Sequence, residues 1–245
     1  KCLIVTGGGR GIGAEVSRKA AKQGYSVCVN FHRDQASAQK LVRELEENGA
    51  NALAYQADVS QEEEVEALFQ TVEKNLGTPE ALVNNAGILD LQTRVGGMNA
   101  ERIQRIFAVN VTGSFLCARE AVKRMSTKYG GKGGSIVNLS SGAAKYGSPG
   151  EYVDYAASKA AIDTLTIGLA REVAEEGIRV NAVRPGFIDT EIHQSGGETD
   201  RMERVYPLVP MKRVGQAEEV ADAIMWLLSD KAYTTGTILD VSGGR

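Results

Sequence analysis

An α/β domain, built on a doubly wound parallel sheet of about seven strands with helices on both faces, is the fold class that three features of this sequence predict. Short β-branched runs alternate with longer stretches of 3.6-residue apolar spacing from one end to the other. The runs are nearly continuous in apolar residues, the pattern of parallel strands covered on both faces and joined by right-handed helical crossovers. A glycine-rich turn joins the first run directly to the first helical stretch.

In chain order, strands are predicted over Cys2 to Thr6, Ser26 to Phe31, Ala52 to Gln56, Ala81 to Asn84, Ser135 to Leu139, Arg179 to Val183 and Thr237 to Val241. Helices are predicted over Gly11 to Gln23, Gln35 to Glu47, Glu62 to Leu76, Ala100 to Met125, Tyr152 to Glu176 and Ala217 to Ser229. Asp34 stands where a side chain caps the second helix, Ser60 with Glu63 reads as a capping box for the third, and Gly177 closes the fifth. With no internal repeat, low-complexity tract or Pro-rich linker, residues 1–245 read as one domain. The stretch 191–210 lacks a clear period and reads as a substrate loop or lid.

Composition narrows the function. Of 245 residues, 42% are hydrophobic and 24% charged, an ordinary globular balance. The formal charge of −3 offers nothing to nucleic acid or an anionic membrane, and no apolar stretch approaches a membrane span. The expected setting is cytoplasmic. Cys2, Cys28 and Cys117 form an odd set without a Cys-x-x-Cys pair, so neither a disulfide framework nor a zinc site is indicated, and no metal is expected. With His32 and His193 as the histidines and no Gly-x-Ser-x-Gly, a serine-hydrolase triad has little support.

The turn Thr6-Gly7-Gly8-Gly9-Arg10-Gly11-Ile12-Gly13 has the context that dinucleotide binding needs. Glycines let the backbone turn sharply beside a pyrophosphate, and the helix N-terminus presents free N–H groups to it. Candidate contacts are Gly7, Gly9, Arg10, Gly11 and Ile12. The register of Gly7, Gly11 and Gly13 is longer than G-x-G-x-x-G. The adenosine ribose is expected near Asn30, His32 and Arg33, at the exit of the second strand. No acid ends that strand to claim the ribose hydroxyls, and Arg10 and Arg33 suit a 2'-phosphate, so NADP(H) is expected over NAD(H). On the same reasoning an acid at position 30 would favour NADH. Asp58, followed by Val59 at the exit of the third strand, reads either as an adenine acceptor or as a plain helix-entry acid.

Tyr155 and Lys159 share one helix face in Tyr155-Ala156-Ala157-Ser158-Lys159. Together with the glycine turn, Asn84-Asn85-Ala86-Gly87, Asn110, Ser140-Ser141 and Pro185-Gly186, the pair makes the whole chain resemble the short-chain dehydrogenase/reductase family. The resemblance implies a tetrad of Asn110, a serine, Tyr155 and Lys159, a kinked helix at Asn110 that carries a water, and a Rossmann-like fold. It implies contacts from Asn85, Ala86 and Gly87 to the adenosine ribose. It also implies a clamp on the nicotinamide carboxamide from Pro185, Gly186, the Ile188 backbone and the Thr190 hydroxyl. Ser141 lies one residue further from Tyr155 than the family usually has it and Ser140 further still, which reads as an extra residue in Gly150-Glu151-Tyr152-Val153-Asp154; Ser141 is expected to act, since the second serine of such a pair usually does in the family. That insertion is expected to reshape the substrate pocket together with Tyr146, Tyr152, Phe187 and His193, with plain core or loop packing the alternative for each of the four.

The chemistry fits those residue types. Hydride addition to a carbonyl builds negative charge on oxygen, so a donor ready to ionise must stand there. Tyrosine has the donor, and a neighbouring ammonium favours its phenolate. The expected function is an NADP(H)-dependent carbonyl reductase, reversible as an alcohol dehydrogenase, and the resemblance implies a homotetramer. Alternatives are a 3-oxoacyl-acyl-carrier-protein reductase, a glucose-type sugar dehydrogenase, or a dinucleotide-binding sensor without turnover. The acidic run Glu175-Glu176 stands where docking an acidic carrier calls for bases.

Overall fold

The structure, a computed structural model, describes residues 1–190 and 204–245. Its strands are β1 (Cys2–Val5), β2 (Ser26–Phe31), β3 (Ala52–Gln56), β4 (Ala81–Asn84), β5 (Gly134–Leu139), β6 (Ile178–Pro185), two short strands β7 (Ile188–Asp189) and β8 (Gly215–Gln216), and β9 (Ile238–Val241). Seven of them make one parallel sheet in the order β3-β2-β1-β4-β5-β6-β9, and β7 and β8 make a separate two-stranded ladder. The helices are α1 (Gly11–Lys22), α2 (Gln35–Glu47), α3 (Glu62–Leu76), α4 (Ala100–Phe107), α5 (Gly113–Met125), α6 (Ala143–Tyr146), α7 (Val153–Val173) and α8 (Ala217–Leu228).

Alternation along each strand sends side chains to both faces, and both faces are covered. Leu3, Val5, Val27, Val29, Val137 and Val183 pack under α1, α2 and α8, while Ile4, Cys28, Leu82, Ile136 and Val180 pack under α3, α5 and α7. Each buried aliphatic contributes about 2 kcal/mol of transfer free energy, so both layers are needed to hold the central strands. All three cysteines are free and buried in the second layer, where they pack as small hydrophobes and burial pushes the thiols up.

Strand order reverses between β1 and β4, which opens a crevice beyond their C-terminal ends. The glycine turn follows β1 and the Asn85 to Gly87 segment follows β4, so they face each other across it.

The predicted strands and helices are present within one or two residues at their ends, with two exceptions: α7 stops at Val173, a 3-10 turn over Ala174–Glu176 completing the predicted span to Glu176, and the span Ala100 to Met125 is not one helix. A π-helical turn over Ala108–Thr112 separates α4 from α5. Long-range bonds from Asn110 hold it, and Gly113 allows it to press against Val59, whose Cγ2 would lie 2.7 Å from a Cβ there. The expected capping box at Ser60 and Glu63 is also absent. The Ser60 amide and hydroxyl donate to Asp58 Oδ1, the Asp58 amide donates to Glu64 Oε2, and Gln61 becomes the N-cap of α3. Asp34 does cap α2, accepting from the Ser37 amide at 3.0 Å, and Gly177 ends the fifth helical stretch at φ +76°. Residues 191–203 of the expected lid, His193 among them, lie outside the described residues. Val205 and Val209, at its far end, are buried.

Candidate active site

The nucleotide side of the crevice is shaped by absent side chains. Gly7 and Gly11 take φ of +59° and +54°, a region L-residues avoid. A Cβ on Gly13 would lie 2.6 Å from Asn85 Nδ2 and 2.7 Å from Gly7 O. Thr6 closes the floor, its hydroxyl accepting from the amides of Asn85 and Ala86 at 3.0 Å each. Asn85 Nδ2 donates to the carbonyls of Thr6 and Gly7 at 2.9 and 2.8 Å. The result is a cavity of about 230 Å³ lined by Gly7, Arg10, Gly11, Ile12, Asn85, Ala86, Gly87, Thr190 and two residues the sequence did not single out, Ile88 and Leu89. This cradle opens on a helix N-terminus and fits a dinucleotide pyrophosphate.

Around the expected ribose the outcome is mixed. His32 and Arg33 are exposed beyond β2, and Arg10 is close enough to help the Ser37 hydrogen bonds hold the Asp34 carboxyl below its usual range. Asp58 puts one oxygen into the turn before α3 and the other 3.7 Å from His32 Nε2. Gly9 packs against Ala38 of α2.

Asn30 is the correction. Its side chain is buried in protein, donating to the carbonyls of Ala57, Tyr55 and Phe31 at 3.0, 3.3 and 3.4 Å and accepting from the Gly7 amide at 3.3 Å. The carboxamide ties the glycine turn to β3 and is not turned to a ribose. Asn30→Asp would therefore set a carboxylate against three carbonyls. The expected result is a stability loss of about 2 kcal/mol or more with no gain in NADH affinity, read by denaturant unfolding and cofactor titration; an unchanged midpoint would contradict it.

The chemical side is built on α7. Lys159 and Tyr155 sit one turn apart, with Lys159 Nζ 5.7 Å from the Tyr155 ring centroid. Nζ is buried, donates to Leu139 O at 2.7 Å and would lie 3.3 Å from a Cβ on Gly87. Burial pulls the Lys159 pKa down to about 8 against the opposing field of Asp163 one turn on, which is itself paired with Arg184 at 2.6 Å. Asn110 is fully buried in the π turn, as the implied kink requires. Its Oδ1 accepts from the Ile88 amide at 2.8 Å, and its Nδ2 donates to Ile88 O at 2.9 Å and Ser158 Oγ at 3.0 Å. Asn110 thus fixes the Ile88 segment, and through Ser158, whose hydroxyl donates to Tyr155 O at 2.7 Å, the turn of α7 that carries the tyrosine.

A second cavity of about 270 Å³ begins where the first ends, sharing Leu89 with it. Tyr155 and Ser141 both line it, as do Pro185, Gly186 and the expected Tyr146, Tyr152 and Phe187. Ser140 does not. It is buried, donating to the Lys159 carbonyl at 3.2 Å, whereas Ser141 Oγ accepts from the Ala143 amide and keeps its own proton to offer the cavity. The segment Gly150 to Asp154 is anchored by a buried pair, Arg102 Nε to Asp154 Oδ2 at 2.6 Å, with Arg102 Nη1 donating to Leu91 O. Arg204, Val205 and Leu208, from the far end of the expected lid, also line this cavity, as does Arg245, which carried no sequence signal. Ile188 pairs with Gly215 in the small ladder, which holds its backbone beside Thr190.

A scan against family models matches residues 7–245 to one described as enoyl-(acyl carrier protein) reductase. The chain belongs to the short-chain dehydrogenase/reductase family. It is 56% identical over 243 residues to the uncharacterized oxidoreductase YgfF of Escherichia coli, covering 99% of this chain and 98% of that protein. It is 38% identical to glucose 1-dehydrogenase 2 of Bacillus subtilis, covering all of this chain and 94% of the other. Among solved structures, a 3-ketoacyl-(acyl-carrier-protein) reductase of Brucella melitensis complexed with NADH superposes with a TM-score of 0.92 at 32% identity, over all of this chain and 98% of that one. As a family member the protein is an oxidoreductase that uses a nicotinamide cofactor.

The two serines are separable by experiment. Ser141→Ala is expected to lower kcat about tenfold or more, since it removes a hydrogen bond to the reacting oxygen, while Ser140→Ala stays within about threefold. Steady-state rates on one substrate decide it, and a worse Ser140→Ala reverses the assignment.

Proposed function

We propose that the protein is an NADP(H)-preferring carbonyl reductase, reversible as a secondary-alcohol dehydrogenase. The observation that carries this reading is the presence of Tyr155 and Ser141 in one cavity, with buried Lys159 behind the tyrosine and the glycine cradle adjoining through Leu89. A bound nicotinamide supplies or receives the hydride. Tyr155 donates the proton to the oxygen, Ser141 holds that oxygen by a hydrogen bond, and Lys159 lowers the cost of the phenolate. Asn110 keeps the Ile88 wall and α7 in register. Gly186, the Ile188 backbone and Thr190 would hold the nicotinamide carboxamide.

The cofactor preference rests on Arg10, in the cradle wall, and Arg33, at the exit of β2, with Asp34 occupied by Ser37. Each charge-assisted hydrogen bond contributes roughly 1.5 to 3 kcal/mol, trimmed by exposure, so discrimination of about a hundredfold is expected. Replacing Arg10 and Arg33 together by Ala should weaken NADPH by about tenfold to a hundredfold and leave NADH within about twofold in competition binding. Equal affinities in the unmodified protein would contradict the preference.

Glu175 and Glu176 lie in the 3-10 turn that follows α7, with Glu176 accepting from Ser126 Oγ, and two acids there disfavour an acidic carrier protein as substrate donor. A panel of ketones, 3-oxoacyl thioesters and sugars, followed by NADPH loss or NADP reduction, tests the reading; fastest turnover of carrier-bound thioesters or of glucose would replace it. The reading includes a cytoplasmic homotetramer. No described helix is long and apolar enough to cross a membrane, and Ile103, Phe115 and Ile167 lie exposed on α4, α5 and α7, with Trp226 exposed on α8.

A further inference from the structure

The charges around the substrate cavity do not balance. Among its described lining residues are one acid, Glu151, and two arginines, Arg204 and Arg245. Arg204 is paired with Glu151 at 2.9 Å. In the adjoining cavity Lys145 is paired with Asp240 at 2.9 Å and Arg213 with Glu219 at 2.5 Å. Arg245 lines both cavities, and among the described residues no carboxylate pairs with it. Its Nη1 is sealed from solvent with no acceptor.

What holds the guanidinium is aromatic. Its carbon lies 4.6 Å from the Phe187 ring centroid and 5.1 Å from that of Tyr146, and both rings line the same cavity as Tyr155 and Ser141. Ring contacts engage the faces of a guanidinium, while its hydrogen-bond donors lie around its edge. A positioned cation with unsatisfied donors, in a wall of low polarity, binds a planar oxyanion far better than water does.

We propose that Arg245 binds a carboxylate of the substrate, so that the substrates are oxo acids and the corresponding hydroxy acids. The proposal rests on the reading of Tyr155 and Ser141 as the carbonyl site. In the reduction, hydride from the reduced nicotinamide adds to the carbonyl carbon, the C=O π pair moves to oxygen, and Tyr155 supplies the proton. The nicotinamide is oxidised, the carbonyl becomes an alcohol, and the carboxylate on Arg245 is unchanged.

The test compares 2-oxo, 3-oxo and 4-oxo acids, each with its methyl ester, in the wild type, Arg245→Gln and Arg245→Lys. For at least one spacing, kcat/KM for the acid should exceed that for the ester by about tenfold or more. Arg245→Gln should remove that preference by lowering the acid alone, with the ester and the NADPH dissociation constant within about twofold, and Arg245→Lys should restore part of it. A readout free of turnover is calorimetric titration of phenylglyoxylate and methyl phenylglyoxylate into the enzyme with NADP. The acid should bind the wild type and lose affinity in Arg245→Gln, while the ester is indifferent to the change. An ester handled as well as its acid by the wild type, or an equal loss on both in Arg245→Gln, overturns the proposal. Arg245-dependent binding of phenylglyoxylate without reduction of any acid or ester would sink the carbonyl-reductase reading and leave the anion site standing.

Discussion

Tyr155→Phe is expected to lower kcat by 10² to 10⁴, about 3 to 5 kcal/mol in barrier, while the NADPH dissociation constant stays within about twofold. The change removes one oxygen from a residue that lines the substrate cavity and leaves the ring and α7 in place. None of the residues lining the nucleotide cradle is altered, so binding and turnover must separate. Rapid-mixing kinetics on one reducible ketone together with fluorescence titration of NADPH make the comparison. A variant keeping more than about a tenth of the activity would show that the proton comes from elsewhere.

Lys159→Ala is expected to differ in kind, with kcat falling by about 10² or more and NADPH affinity falling with it. The ammonium is buried between Leu139 O and Gly87, a residue of the nucleotide cradle, and lies 5.7 Å from the Tyr155 ring centroid, so it is expected to act on the tyrosine and on the cofactor at once. Its pKa also sets a pH signature. Burial holds it near 8, below the ordinary lysine value, so the charge is present below that pH and is lost above it. For reduction, kcat/KM should therefore decline as pH rises through about 8, and that limb should vanish in Lys159→Ala. The same shift acts on stability. A depressed lysine means the folded state binds fewer protons than the unfolded chain between the two pKa values, so the cost of burying the charge is present in full below about 8 and fades as pH rises. An unchanged cofactor affinity in Lys159→Ala would remove its second role.

What could be read from the sequence follows from how local each cause is. Helix α2 is found to the residue because Asp34 caps it and Gly49, at φ +83°, follows its end, signals lying within a few residues of the boundaries. The alternation of strands and helices is equally local, and with the crossover rule it yields the doubly wound parallel sheet, whereas the strand order is set by long-range pairing. The π turn at Asn110 is different, since its residues are compatible with a plain helix and what unwinds them is bonding to Ile88 and Ser158, far away in sequence. The misread cap at Ser60 failed because Asp58 takes the Ser60 amide and hydroxyl, while Glu64 accepts from the Asp58 amide. Asn30 was placed correctly at the end of β2, yet the direction of its side chain depended on carbonyls of β3 and the segment after it. Arg245 was invisible for the same reason, because Tyr146 and Phe187 meet it only once the chain has folded.

Isotope transfer tests the central claim most directly. With NADPH carrying deuterium at the transferable position of the nicotinamide, mass spectrometry of the alcohol formed by the wild-type enzyme should find one deuterium per molecule, on the carbon that bears the new hydroxyl, and Tyr155→Phe should form that product at least about a hundredfold more slowly. Product that takes its carbon-bound hydrogen from solvent, or NADPH that remains unconsumed with every carbonyl class offered, would contradict the account.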